Sequence, residues 1–178
     1  HHHREPQEAA AITRALQASG FRWGLDGAER GGTEQHSLSW AIDRLLLGLV
    51  LPDQPGLAIG ACAPHPLSGT PETQGRWILL LTRIKLALTQ LRRSRRAEDW
   101  GPCLRDLLED LFGDGGERAW ELISIHQAIA EWTAGAAGCT LTIPATVLAA
   151  VLQERLAADS GRFGHRSGAL TISALEPM

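Results

Sequence analysis

Ser37-Leu38-Ser39-Trp40-Ala41-Ile42-Asp43-Arg44-Leu45-Leu46-Leu47-Gly48-Leu49-Val50-Leu51-Pro52 is the stretch on which the fold class turns. Ser37 suits a helix N-cap, because its hydroxyl oxygen accepts from a backbone N–H left over in the first turn. Leu38, Ala41, Ile42, Leu45, Leu46 and Leu49 recur three and four residues apart, which wraps them onto one broad face of a helix. A strand would alternate every second residue instead. Pro52 lacks an N–H and stops the helix. A helix with so wide an apolar face must bury it against other elements.

The same spacing continues outward. Residues 6 to 19 read as a helix opened by Pro6 and marked by Ala9, Ile12 and Leu16, with Gly20 just past its end. Phe21-Arg22-Trp23-Gly24-Leu25-Asp26 is an aromatic-rich link into a polar loop that ends near His36. After Pro52 comes a connection over residues 52–75 with five Pro and four Gly, long enough to be either an excursion packed on the surface or partly disordered. A third helix is predicted over about residues 74–94, with Trp77, Leu80, Leu81, Ile84, Leu88 and Leu91 inward and a basic end of Arg92, Arg93, Arg95 and Arg96. A fourth carries Trp100, Leu104, Leu107, Leu108 and Leu111 and closes at Gly113. A fifth spans about residues 116–134 and a sixth begins at Pro144. Gly168 to Leu175 alternates with period two and reads as the only strand. A lone strand leaves its backbone groups without partners, so the chain reads as a piece that continues past Met178.

Composition bounds the function. The chain has 178 residues, 44% apolar and 21% charged, with net charge −3. That is room for one domain or two very small ones, and too balanced in charge to coat DNA by charge alone. No apolar stretch is long enough for a membrane helix, and a cytoplasmic setting is expected. Three cysteines, Cys62, Cys103 and Cys139, are too few and too scattered for a disulfide framework. His1-His2-His3 reads as the remnant of a purification tag.

Catalytic equipment is missing from the pattern. There is no phosphate-binding loop, and the one lysine, Lys85, lies mid-helix. No nucleophile elbow and no paired zinc-binding histidines occur. Cys62 and His65 have ligand spacing, but two ligands do not close a zinc site. The carboxylates Glu98, Asp99, Asp106, Glu109 and Asp110 read as helix-dipole partners and a solvated face opposite the leucines. Of the six Trp, Trp77, Trp100 and Trp132 fall in register with the core, while Trp23 and Trp40 are placed only near the first link. The run Arg92, Arg93, Arg95 and Arg96 is the strongest electrostatic feature: a set of DNA-phosphate contacts, or a basic last helical turn lying in water.

From Arg22-Trp23-Gly24-Leu25-Asp26 onward the chain resembles the RecC family, the gamma subunits of bacterial exodeoxyribonuclease V. His36-Ser37-Leu38, Trp40, Arg44-Leu45-Leu46-Leu47-Gly48, and Glu98-Asp99-Trp100 with Cys103, Arg105, Asp106 and Leu108 follow in RecC-like order. The end, Gly168 to Met178, looks like the RecC strand that enters a Pro-Met-Arg turn, although Glu176 is atypical there. Residues 52–75 carry no likeness. The resemblance implies a helicase-shaped subunit whose ATPase motifs have decayed, followed by a nuclease-like domain. Within it this chain matches the helical 2B-like insertion that precedes a motor strand. It implies RecB-like and RecD-like partners, contact with a duplex end and single strands, and no membrane. The assembly's ATP and Mg2+ would belong to other subunits, with no cofactor, metal or catalytic residue in this stretch. Arg22, Trp23, Gly24, Asp26, His36, Trp40, Arg44 and Trp100 are the residues that match the family, in structural or unassigned roles.

The expectation is therefore an all-α fold of six helices in an irregular bundle with one C-terminal strand. Residues 1–3 would be the tag remnant, 4–167 the helical subdomain with its loop at 52–75, and 168–178 the start of a motor strand. The expected role is a non-catalytic scaffold and DNA-channel wall in double-strand-break processing. The alternative is a free-standing helical protein–protein adaptor with no DNA role.

Overall fold

The computed structural model describes residues 4–52, 54, 56–116 and 119–160. Six helices account for most of it: α1 (Arg4–Ala18), α2 (Leu38–Val50), α3 (Pro71–Leu91), α4 (Trp100–Phe112), α5 (Ala119–Gly135) and α6 (Ala145–Ser160). The strand expected at 168–175 lies outside the described residues. Two strands that periodicity did not announce are present: β1 (Arg95–Arg96) and β2 (Thr142–Ile143), paired antiparallel with Arg95 opposite Ile143 and Arg96 opposite Thr142. Two-residue strands give too few residues to show an alternation.

The chain divides into two compact units, residues 1–90 and 91–178. In the first, α2 behaves as its sequence dictates. Ser37 Oγ accepts the Trp40 N–H at 3.1 Å, and Leu38, Ala41, Ile42 and Leu45 are buried. Leu45 is fully enclosed, a burial that contributes roughly 1.5–3 kcal/mol. Leu25, Leu38, Ile42, Leu45, Ile78 and Leu81 form one cluster, with Ile12, Leu16, Phe21, Leu49 and Leu67 packed around it. The connection after α2 is an excursion laid on this unit. Ile59 and Cys62 form a small antiparallel bridge, and Leu67 reaches the core. Helix α3 begins earlier than its apolar pattern indicates, because Pro71 fits a first helical position and Thr70 Oγ1 accepts the Thr73 N–H at 3.4 Å. Its buried residues are Ile78, Leu81 and Ala87, with Trp77 half-buried and Leu88 exposed.

The second unit is built around Trp100, which is wholly buried. Its Nε1–H donates to the Ile143 carbonyl at 3.1 Å, so α4 is anchored to β2. Trp132 on α5 donates from Nε1 to the Ala97 carbonyl at 2.9 Å. Ala97, Trp100, Ala136, Ile143 and Leu148 are the buried set. A single 3-10 turn, Ala97–Asp99, leads into α4. Glu98 lies in the first turn of this helix, as its position before Trp100 suggested, and it does more than face the helix dipole. It pairs with Arg96 at 2.5 Å and accepts the Gly138 N–H at 3.1 Å, which fastens the chain before α4 to the loop after α5.

Helix α4 packs tightly on α5 at Gly101, where an added Cβ would stand 2.0 Å from Thr133 Oγ1. Gly101→Ala is expected to destabilise the chain by roughly 1–3 kcal/mol in chemical denaturation, the usual range for overpacking. The double variant Gly101→Ala/Thr133→Ala should recover much of that loss. Full stability in the single variant would show that the two helices are not in register here.

Candidate functional site

Two places hold the residues singled out by the sequence. The first is the link between α1 and α2, residues 19–44. Its shape comes from backbone groups that no helix satisfies. The Arg22 N–H donates to the His36 carbonyl at 3.0 Å, the Leu38 N–H to the Gly24 carbonyl at 2.9 Å, and the Ser39 N–H to the Leu25 carbonyl at 2.9 Å. Asp26 Oδ1 accepts the Ala28 and Glu29 N–H groups at 3.1 and 3.3 Å, a side-chain turn of the kind Asp favours. Glu29 Oε2 accepts the Leu25 N–H.

His36 has φ 68°, the only positive value outside glycine among the described residues. Its Nδ1–H donates to the Gly20 carbonyl at 2.7 Å, which fixes the tautomer, since a carbonyl only accepts. Its ring meets Trp40 edge-on, 5.1 Å between centroids at 63°. On the same indole lies the Arg44 guanidinium, 4.8 Å from the ring centroid. Arg44 Nη1 donates to the Ser19 carbonyl and Nε to the Ala63 carbonyl at 2.8 Å. One side chain on α2 thus holds both the end of α1 and the excursion. Gly20, with φ 95°, sits against Trp40, where a Cβ would lie 2.9 Å from the ring. Gly48 lets the excursion approach α2 so closely that a Cβ would meet the His65 carbonyl at 2.3 Å. The His65 N–H in turn donates to the Arg44 carbonyl at 2.9 Å.

His36, Trp40 and Arg44 are therefore brought together, with Arg22, Gly24 and Asp26 in the loop they close. Trp23 points the other way in solvent terms: it is 56% exposed. Arg30, which the sequence did not single out, stacks over it with its guanidinium carbon 4.6 Å from the ring centroid. Arg30 Nη1 also donates to the Trp23 carbonyl at 3.1 Å. An arginine seven residues from a Trp does not form a recognisable spacing, so only the folded loop shows the pair.

The second place is the arginine run, and here the structure corrects the sequence. Helix α3 ends at Leu91, so Arg92, Arg93, Arg95 and Arg96 do not share a helical turn. Arg92 and Arg93 are exposed on the turn after α3, and Arg95 and Arg96 form β1. Arg95 is half-buried with its guanidinium 5.7 Å from the Trp100 ring centroid, and Arg96 pairs with Glu98.

Among the described residues no three His, Cys, Asp or Glu side chains come together as a metal site would require. Burial pushes the Cys62 and Cys103 thiols up, away from the reactive thiolate. A cleft of about 360 Å3 opens beside Ile12, Arg14, Leu45, His65, Ser68 and Trp77. No described helix is long and apolar enough to cross a membrane.

Helices fastened by arginine side chains that donate to backbone carbonyls define a mainly α-helical module. The chain matches the family model of the RecBCD enzyme subunit RecC fourth domain over residues 2–160. It is 26% identical over 174 residues to RecBCD enzyme subunit RecC of Mycolicibacterium smegmatis, covering 94% of this chain and 16% of that protein. It is 28% identical over 173 residues to the Escherichia coli subunit of the same name, covering 92% of this chain and 15% of that one. The chain belongs to the RecC fourth-domain family, and it spans about one sixth of the length of these relatives.

Arg44→Met should free the Ser19 and Ala63 carbonyls and cost roughly 1–3 kcal/mol, with proteolysis of residues 56–70 accelerated. Unchanged proteolysis would mean that the excursion is held without the clamp. His65 gives a second expectation. Burial, then Arg44, holds its pKa below the ordinary 6.5. The unfolded chain therefore takes up the proton first as pH falls. Stability should fall from about pH 6.5 downward, through the lowered folded pKa, and less steeply in His65→Gln. Parallel pH profiles for the two proteins would contradict this.

Proposed function

We propose that this chain is a non-catalytic, DNA-channel subdomain of a RecC-like subunit, working with RecB-like and RecD-like subunits in a helicase–nuclease that processes DNA double-strand breaks. The observation that carries this reading is the RecC fourth-domain match over residues 2–160. In this reading the part guides DNA while other subunits supply ATP- and Mg2+-dependent chemistry. The expected setting is the cytoplasm.

Within this reading Arg92 and Arg93 supply the phosphate contacts, because both are exposed on a turn. Arg95 contributes less because it is half-buried beside Trp100, and Arg96 because it is paired with Glu98 at 2.5 Å. A second reading is a helical protein–protein adaptor with no DNA role. It is favoured by Phe112, Trp120 and Ile123, which are 58%, 68% and 66% exposed.

A salt titration of single-strand binding by the full subunit in its assembly separates the two. Arg92→Ala/Arg93→Ala should flatten the log–log salt dependence by about 1.4, two phosphates at roughly 0.7 each on a single strand. Arg95→Ala/Arg96→Ala should flatten it less. An unchanged slope in the first variant removes the phosphate assignment. If Trp120→Ala/Ile123→Ala instead disrupts subunit assembly and no variant alters DNA binding, the adaptor reading stands.

A further inference from the structure

We propose that Trp23, backed by Arg30 and flanked by Arg22, is a stacking platform for one base of single-stranded DNA; the proposal rests on the DNA-channel reading above. Trp23 is an exposed indole on a segment that its neighbours immobilise. The residue before it donates its N–H to the His36 carbonyl at 3.0 Å. The residue after it accepts the Leu38 N–H at 2.9 Å. Its own carbonyl accepts from Arg30 Nη1 at 3.1 Å. A ring held this way loses little further freedom when a flat partner settles on it.

Arg30 covers the ring with its guanidinium 4.6 Å from the centroid. Gly24 makes that return possible. Its φ is 82°, and a Cβ there would stand 3.2 Å from both Arg30 Cγ and Glu29 Oε2. The glycine next to the tryptophan is thus explained by the arginine that has to fold back past it. A guanidinium on an indole leaves the opposite π-face for a third flat group, and every base has one. Arg22 is exposed beside it and gives the adjacent phosphate a cation.

The nearby carboxylates do not turn this into a cation site. Asp26 and Glu29 are both engaged with backbone N–H groups of the loop. The surroundings also distinguish a base from an apolar protein side chain. The residues bordering Trp23 in its loop are Arg22, Gly24, Asp26 and Arg30, so a stacked base with a charged backbone is the better chemical complement than an apolar protein patch.

The test compares wild type, Trp23→Ala and Trp23→Phe in the full subunit assembly. The probes are oligothymidylate and an abasic strand of equal length, each titrated across salt. Trp23→Ala should bind oligothymidylate about tenfold more weakly, with an unchanged salt slope, because stacking releases no counterions. Trp23→Phe should keep most of the affinity, and all three proteins should bind the abasic strand alike. Equal oligothymidylate affinity in Trp23→Ala, or an equal loss on both strands, overturns the platform. If that happens while Arg92→Ala/Arg93→Ala still flattens the salt slope, the DNA-channel reading survives without it. Failure of the wild-type assembly to bind either strand overturns both. If Trp23→Ala weakens subunit association alone, the indole is a protein contact and the proposal is wrong.

Discussion

The Arg44 guanidinium is the constraint on which the first unit depends. It lies on the Trp40 ring and donates to carbonyls from two different segments, Ser19 at the end of α1 and Ala63 in the excursion. A lysine could place a charge there, but its ammonium has no planar face to lie on the indole and no fixed fork to serve two carbonyls. Once Arg44 is seated, the rest follows locally. Trp40 is held against His36, His36 returns to Gly20, and the link from Gly20 to Ser37 has one shape. Gly48, one turn further along α2, allows the excursion to come down at His65. The two ends of the Arg44-to-Gly48 motif therefore serve one purpose, which is to hold a Pro- and Gly-rich segment whose own pairing, before α3 and among the described residues, is the small Ile59–Cys62 bridge.

How far the fold was legible depended on the range of the contact that fixes each element. Helix α2 was readable from Ser37 to Pro52, because its cap, its stripe and its stop are all local. The end of α4 at Gly113 and the start of α6 after Pro144 were readable for the same reason. The arginine run was misread because β1 exists only through β2, which lies far along the chain at Thr142 and Ile143. Nothing between Leu91 and Arg96 breaks a helical pattern, so periodicity carried α3 through it. The family residues were legible as a set but not in their roles. Arg44 acts through carbonyls, which have no sequence signature, and Arg30 meets Trp23 only because the loop turns back through Gly24.

Arginine used with tryptophan is the recurrent device. Arg30 on Trp23, Arg44 on Trp40 and Arg95 near Trp100 place guanidinium groups over three of the six indoles. The three pairs differ in what surrounds them. Trp100 is sealed in the core and its N–H is spent on Ile143, so that pair can only brace β1 against α4. Trp40 is half-buried between His36 and Arg44, and both of its neighbours are tied to backbone carbonyls. Trp23 alone of the three keeps more than half of its surface in solvent. The same interaction thus grades from structural to available as burial decreases.

If the chain takes part in holding DNA, as proposed, that gradation bears on how one with net charge −3 does so. Long-range attraction is weak for such a chain, and charges farther apart than about 8 Å are screened at physiological salt. In the proposed assembly such contacts would be local and subsidiary to stronger ones elsewhere, whose tethering would raise their effective concentration. Two kinds of local contact are physically distinct here. Arginines on a turn exchange counterions with phosphates and weaken as salt rises. An indole backed by a guanidinium binds the flat face of a base and is nearly indifferent to salt. A duplex presents phosphates but keeps its bases stacked on one another, whereas a separated strand presents both. Under the proposed DNA-channel role, each of these contacts would act within its own unit, and a separated strand would satisfy both kinds where a duplex satisfies only the first.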